Sequence, residues 1–249
     1  MIEQRMSTTP LRLSPLHDAL DALHPAWGTV DDMPVALRFG DAAVERAHAA
    51  RLGLCDASVW ARTTIKGPAA ADFLQSNSVP VPPQVLAVAP LAGGGVVART
   101  GGMEFFVEDA PGGGLVTRLS AAVAAGTSEV YEVLRQDASI LVSGELAVAV
   151  LRETCGFEFH PVTTSTQSAE SALGPRASRA RSTTPPGVIM TRVAGVSALI
   201  LPRELNGLPL FQLWLDGTYG DYLWETLLEI VRQHGGEPVG LGTFFPSLE

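Results

Sequence analysis

Apolar side chains recur at helical spacing along the chain, each time after a polar, proline or glycine break. After Ser14-Pro15 they fall at Leu16, Ala19, Leu20 and Leu23, which predicts a short amphipathic helix with proline at its first position. A second helix is expected from Asp41 to about Leu52, ended by Gly53, with Ala43, Ala47 and Ala50 on one face. Residues 58–65 alternate as a strand does, Lys66-Gly67-Pro68 breaks the alternation, and Ala70, Ala71, Phe73 and Leu74 resume at helical spacing. The unit returns later: a strand over 138–143, a break at Gly144, and a helix carrying Leu146, Ala147, Val150 and Leu151 that ends near Gly156. The spacing between Gly67 and Gly144 suits one α+β half, so two similar halves are expected, over residues 14–135 and 136–249.

Between these landmarks, residues 85–89, 95–98 and 103–108 read as short strands joined by glycine turns, 114–125 as a helix and 129–134 as a strand. Farther along, 188–193, 197–201 and 210–215 read as strands, and 218–233 as a strong helix ended by Gly235-Gly236. Irregular alternation with hairpin-length turns predicts an α+β chain of antiparallel sheets backed by helices. Residues 1–13, polar and proline-punctuated, are expected to be a flexible tail. Residues 163–186, rich in Ser, Thr, Ala and Arg, follow neither period and are expected to form a mobile surface loop.

Composition narrows the class. The 249 residues are 46% hydrophobic and 17% charged, against an average charged share of about 25%, which is the profile of an ordered globular chain. A net charge of −9 without a basic stripe argues against nucleic acid as a partner. No apolar run approaches the roughly 18 residues of a membrane span. The first residues lack the apolar stretch of a secretory signal, so a cytoplasmic location is expected.

Direct chemical motifs are scarce. A Gly-x-Ser-x-Gly elbow, a phosphate loop ending in Gly-Lys and an H-E-x-x-H helix are all absent. Gly93-Gly94-Gly95 precedes a short strand instead of a helix, so it reads as a hairpin turn. Cys55 and Cys155 stand alone and suit small buried hydrophobes. The five histidines show no ligand spacing, and His160 reads as either a strand-end histidine or a base. Asp31-Asp32, being adjacent, point different ways and suit a loop turn.

A family resemblance carries more. Arg51-Leu-Gly-Leu-Cys-Asp-Ala-Ser58, the strand that follows, Lys66-Gly-Pro-Ala-Ala-Ala-Asp-Phe-Leu-Gln75 and Asn77 resemble the opening of the folate-binding domain of the glycine-cleavage T-protein superfamily. Leu141-Val-Ser-Gly144 with Ala147, Phe211-Gln-Leu-Trp-Leu215, Tyr222-Leu-Trp-Glu225 and Pro238-Val-Gly-Leu-Gly-Thr243 resemble its later motifs in order. Within the superfamily, the short length, the Ser14-Pro-Leu start and Ser143-Gly144 through Cys155 are most similar to the gamma subunit of heterotetrameric sarcosine oxidase.

The resemblance implies two ferredoxin-like modules with antiparallel sheets around a central folate-sized channel, the C-terminal barrel being absent. It implies tetrahydrofolate as a cofactor, a flavoprotein amine oxidase subunit as a partner, and a place in one-carbon metabolism. Two departures bear on activity. The family's acidic pair after a Gly-Gly step is replaced by Ala98-Arg99 in Gly94-Gly-Val-Val-Ala-Arg99, and its pterin-binding glutamate aligns with Gln212. An amide still offers a donor and an acceptor, but no charge. Also missing is the K-G-C-Y-x-G-Q signature of the related iron–sulfur assembly factor. The expectation is therefore a non-catalytic or weakly catalytic subunit of an oxidative N-demethylating, sarcosine-oxidase-like complex. The alternative is an autonomous tetrahydrofolate-dependent aminomethyl or methyl transferase, with Trp60, Tyr131 and Gln212 stacking on the pterin and reading its edge, although Trp60 and Tyr131 suit a core better.

Overall fold

A computed structural model describes residues 12–162 and 187–248. The expected loop 163–186, and the expected tail except Arg12 and Leu13, lie outside the described residues. In chain order the elements are α1 (His17–Asp21), β1 (Ala26–Val30), β2 (Met33–Arg38), α2 (Ala42–Arg51), β3 (Gly53–Asp56), β4 (Arg62–Lys66), α3 (Ala70–Ser76), β5 (Val88–Pro90), β6 (Val96–Gly101), β7 (Glu104–Glu108), α4 (Leu115–Ala124), β8 (Tyr131–Leu134), β9 (Ala138–Ser143), α5 (Ala147–Thr154), β10 (Ile189–Val193), β11 (Val196–Leu205), β12 (Leu208–Leu215), α6 (Gly220–Gln233) and β13 (Glu237–Pro238).

The strand–glycine–helix unit recurs down to single hydrogen bonds. Gly67 N donates to the Met103 carbonyl and Ala69 N to that of Glu129; Gly144 N donates to the Pro209 carbonyl and Leu146 N to that of Arg51. Both glycines have positive φ, 127° and 95°, and a Cβ on either would press into the backbone of Glu129 or Arg51. Glycine is thus required twice, for conformation and for space.

Sheet order follows the same correspondence. One sheet runs β5-β6-β7-β4-β8 and the other β10-β11-β12-β9-β3-β13, so β4 matches β9, β7 matches β12, and β8 matches β3. The two differ in where that last strand comes from. β8 follows α4 along the chain, whereas β3 comes from upstream of the first sheet and pairs with β9. β13, which follows α6, is displaced one place outward and pairs with β3 in parallel. All other pairings are antiparallel, and among the described residues neither sheet closes into a barrel.

Alternation sorts each strand between two faces. Ile65, Phe105 and Val107 of the five-stranded sheet pack with Phe73, Leu74, Val116 and Leu119 of α3 and α4. Ile140, Val142, Phe211 and Leu213 of the six-stranded sheet pack with α1, α5 and α6 through Leu20, Leu151, Trp224 and Leu227. The other faces meet, with Val96, Ala98 and Phe106 against Leu201 and Trp214. The order is therefore helices, sheet, sheet, helices.

Several expectations need correction in detail. Gly53 does not cap α2; Leu52 turns extended and Gly53 opens β3. The strand expected over 58–65 begins only at Arg62, because Asp56 accepts from Ser58 N and turns the chain first. The turn expected at Asp31-Asp32 is present: the two form the tip of the β1–β2 hairpin, both with positive φ, as a two-residue type I′ turn demands. Among the described residues no helix is long and apolar enough to cross a membrane.

Candidate functional site

Between the sheets lies a buried polar network. Register assembles it: Arg62 on β4 stands opposite Glu108 on β7, and the matching positions of the other sheet hold Ser139 on β9 opposite Trp214 on β12. Glu108, fully buried, accepts from Arg62 Nε at 2.6 Å and from Trp214 Nε1 at 2.5 Å on one oxygen, and from Gln212 Nε2 at 2.8 Å on the other. The rest of the Arg62 guanidinium donates to the carbonyls of Ala57, Ser58 and Asp137. A buried ion pair is tolerable only when its remaining donors and lone pairs are met in this way.

Gln212 is spent inside the protein. Its Nε2 also donates to Ser139 Oγ at 3.0 Å, and its Oε1 accepts from Arg203 Nη1 at 2.8 Å. Arg203 donates onward to the Gly94 carbonyl, and burial pushes its guanidinium below the ordinary value, against the attraction of Glu108. Phe106 and Trp214 meet edge to face at 5.0 Å beside the network.

Trp60, Tyr131 and Gln212 are not brought into one cavity. Trp60, 1% exposed, packs beneath the β1–β2 hairpin with Leu141 and Phe244, edge-on to Phe245, and its indole Nε1 has no partner. Tyr131 is 59% exposed on β8. Gln212 alone sits between the sheets. Ala98, at the position of the family's acidic pair, is fully buried against the second sheet, while Arg99 points away to the carbonyls of Pro83 and Gly102.

Sequence reading missed Arg62, Glu108, Ser139, Arg203 and Trp214. The available signal was a charge at the end of each of two strands, Arg62 and Glu108, but only the β4–β7 register joins them. Among the described residues no group of three or more His, Cys, Asp or Glu could hold a metal ion. A wide groove of about 800 Å³ opens beside the network, between β8 and the β10–β11 hairpin.

No protein-family model and no curated protein matches the chain. Among solved structures it is similar to glycine cleavage system aminomethyltransferase T from Bartonella henselae, with a TM-score of 0.67 and 19% identity over 94% of this chain. It spans 60% of that protein's length. It is also similar to a chain of the heterotetrameric sarcosine oxidase from Corynebacterium sp. U-96 solved with pyrrole 2-carboxylate, with a TM-score of 0.55 and 16% identity. That match covers 80% of this chain and 94% of the other, so the two are of comparable length. The resemblance carried by the sequence motifs is thus met in three dimensions, and the chain has the fold shared by aminomethyltransferase T and this sarcosine oxidase chain.

Proposed function

We propose that the chain is a non-catalytic or weakly catalytic subunit of an oxidative N-demethylating complex built like sarcosine oxidase. The observation that carries this reading is that the protein's own groups engage the polar side chains of the inter-sheet site. Both oxygens of Glu108, and the amide of Gln212 on both sides, are bonded to the protein. Orienting a reacting amine needs a free acceptor at the site, and losing such a group typically costs 10²-fold or more in rate.

On the same reading, the two sheets are copies of one ferredoxin-like module, divided near residue 135, and the polar network fills the space a folate channel would take. The residues there do not fit a pterin as the resemblance implies, because both amide donors of Gln212 are committed, to Glu108 and Ser139, and its oxygen faces Arg203. The autonomous tetrahydrofolate-dependent transferase draws support from one observation, the unpartnered indole N–H of Trp60.

Two measurements decide between them. Titration calorimetry with tetrahydrofolate should give no binding heat at high micromolar ligand, and co-expression with the flavin-dependent amine oxidase subunits of the source organism should give one complex in size-exclusion chromatography. Saturable tetrahydrofolate binding that Trp60→Phe weakens, with no complex, would establish the transferase instead.

A further inference from the structure

We infer that Leu86 and Val188 form a latch between the two sheets that opens locally, with both sheets intact, and that backbone strain at Leu86 sets how readily it opens.

The latch starts in a tight turn. Ala87 N donates to the Gln84 carbonyl at 3.1 Å, and of the two residues between them only Leu86 has positive φ, 68°. That is the pattern of a type II turn, whose third residue is ordinarily glycine or asparagine. A leucine held there is strained, because its Cβ crowds the main chain. Its side chain is 37% exposed, so burial recovers only part of the cost.

Both main-chain groups of Leu86 are engaged, one toward each sheet. Its N–H donates to the Arg99 carbonyl on β6 at 2.7 Å, and its carbonyl accepts from Val188 N, one residue ahead of β10, at 2.8 Å. Among the described residues the second of these is the one main-chain hydrogen bond between residues 62–134 and 138–248. Val188 is buried and packs in one cluster with Ala98 and Phe106 of the first sheet and Leu201 and Trp214 of the second. It therefore lies in the same layer as Trp214, the indole donor to Glu108.

Arg99 holds the turn from the other side. Its N–H donates to the Ala87 carbonyl at 3.0 Å, and its guanidinium to the carbonyls of Pro83 at 3.1 Å and of Gly102. The arginine that stands where the resemblance places an acid thus fixes the approach to Leu86. Opening breaks one main-chain bond between the sheets, leaves both ladders in place and lets Leu86 return to negative φ, so it costs less than global unfolding. The consequence is access of solvent to the inter-sheet layer at Val188.

The test is amide-resolved hydrogen exchange by NMR on the full chain. The Val188 amide should exchange about ten-fold or more faster than the amides of the central strand β12. Leu86→Gly keeps both main-chain bonds and removes the strain, so it should slow exchange at Val188 about five-fold or more, although a side chain is lost. Arg99→Met should hasten it about ten-fold. Exchange at Val188 no faster than along β12 would mean that the latch opens only with the whole molecule and would overturn the inference. Unchanged or faster exchange at Val188 in Leu86→Gly would overturn it equally, since side-chain packing and not strain would then govern the opening.

Discussion

Glu108 ties two sheets together through three donors on two strands, Arg62 of β4 and Gln212 and Trp214 of β12, and removing it takes an acceptor from each. Glu108→Ala leaves the Arg62 guanidinium buried without its counter-ion and the Trp214 indole without an acceptor, so a loss of about 3–5 kcal/mol is expected in urea unfolding. A loss below about 1 kcal/mol would mean that Arg62 reaches water when its partner goes. Asp56 works in the opposite sense. It accepts from Ser14 Oγ and Ser58 N, yet burial outweighs those bonds and pushes its carboxyl above the ordinary 3.8. The folded chain therefore holds this proton more tightly than the unfolded one. Its contribution to stability is complete at acid pH and is lost as pH climbs from 3.8 through the raised folded value. Asp56→Asn should accordingly gain on the wild type in urea midpoint across that rise, and a constant difference between the two would refute the sign.

The duplicated strand–glycine–helix unit is the element on which both sheets depend. Gly67→Ala and Gly144→Ala should each destabilise by about 1–3 kcal/mol or more, being strained in φ and blocked by backbone. Gly102→Ala, where nothing lies near a new Cβ, should change stability little in the same thermal melts. This unit was legible in the sequence because both copies carry apolar residues three, six and seven places after one glycine. The β1–β2 hairpin was not, since Asp31-Asp32 lacks the Asn-Gly or Asp-Gly signature and adopts positive φ only with the paired strands in place. β3 escaped notice for a related reason: four residues after a helix, Gly-Leu-Cys-Asp, have no alternation long enough to count. Gln212 was found through its neighbours' resemblance to a motif, but its partners Glu108, Ser139 and Arg203 depend on cross-strand and cross-sheet register, which local pattern does not encode.

For the molecule as a whole, the divided origin of the six-stranded sheet makes each half incomplete without the other. Residues 1–135 produced alone should be insoluble, since the apolar partners of Leu54 and Cys55 on β9 are absent. Simultaneous production of residues 136–249 should recover soluble, associated material, and equal solubility of the first fragment with and without the second would argue against such dependence. The upstream origin of β3 imposes a wait during synthesis. Leu54 and Cys55 leave the ribosome well before Val142 and Leu141, the residues they will lie beside. At about 5–20 residues per second that interval is on the order of ten seconds, during which β3 has no sheet to join and is open to capture by chaperones or by neighbouring nascent chains.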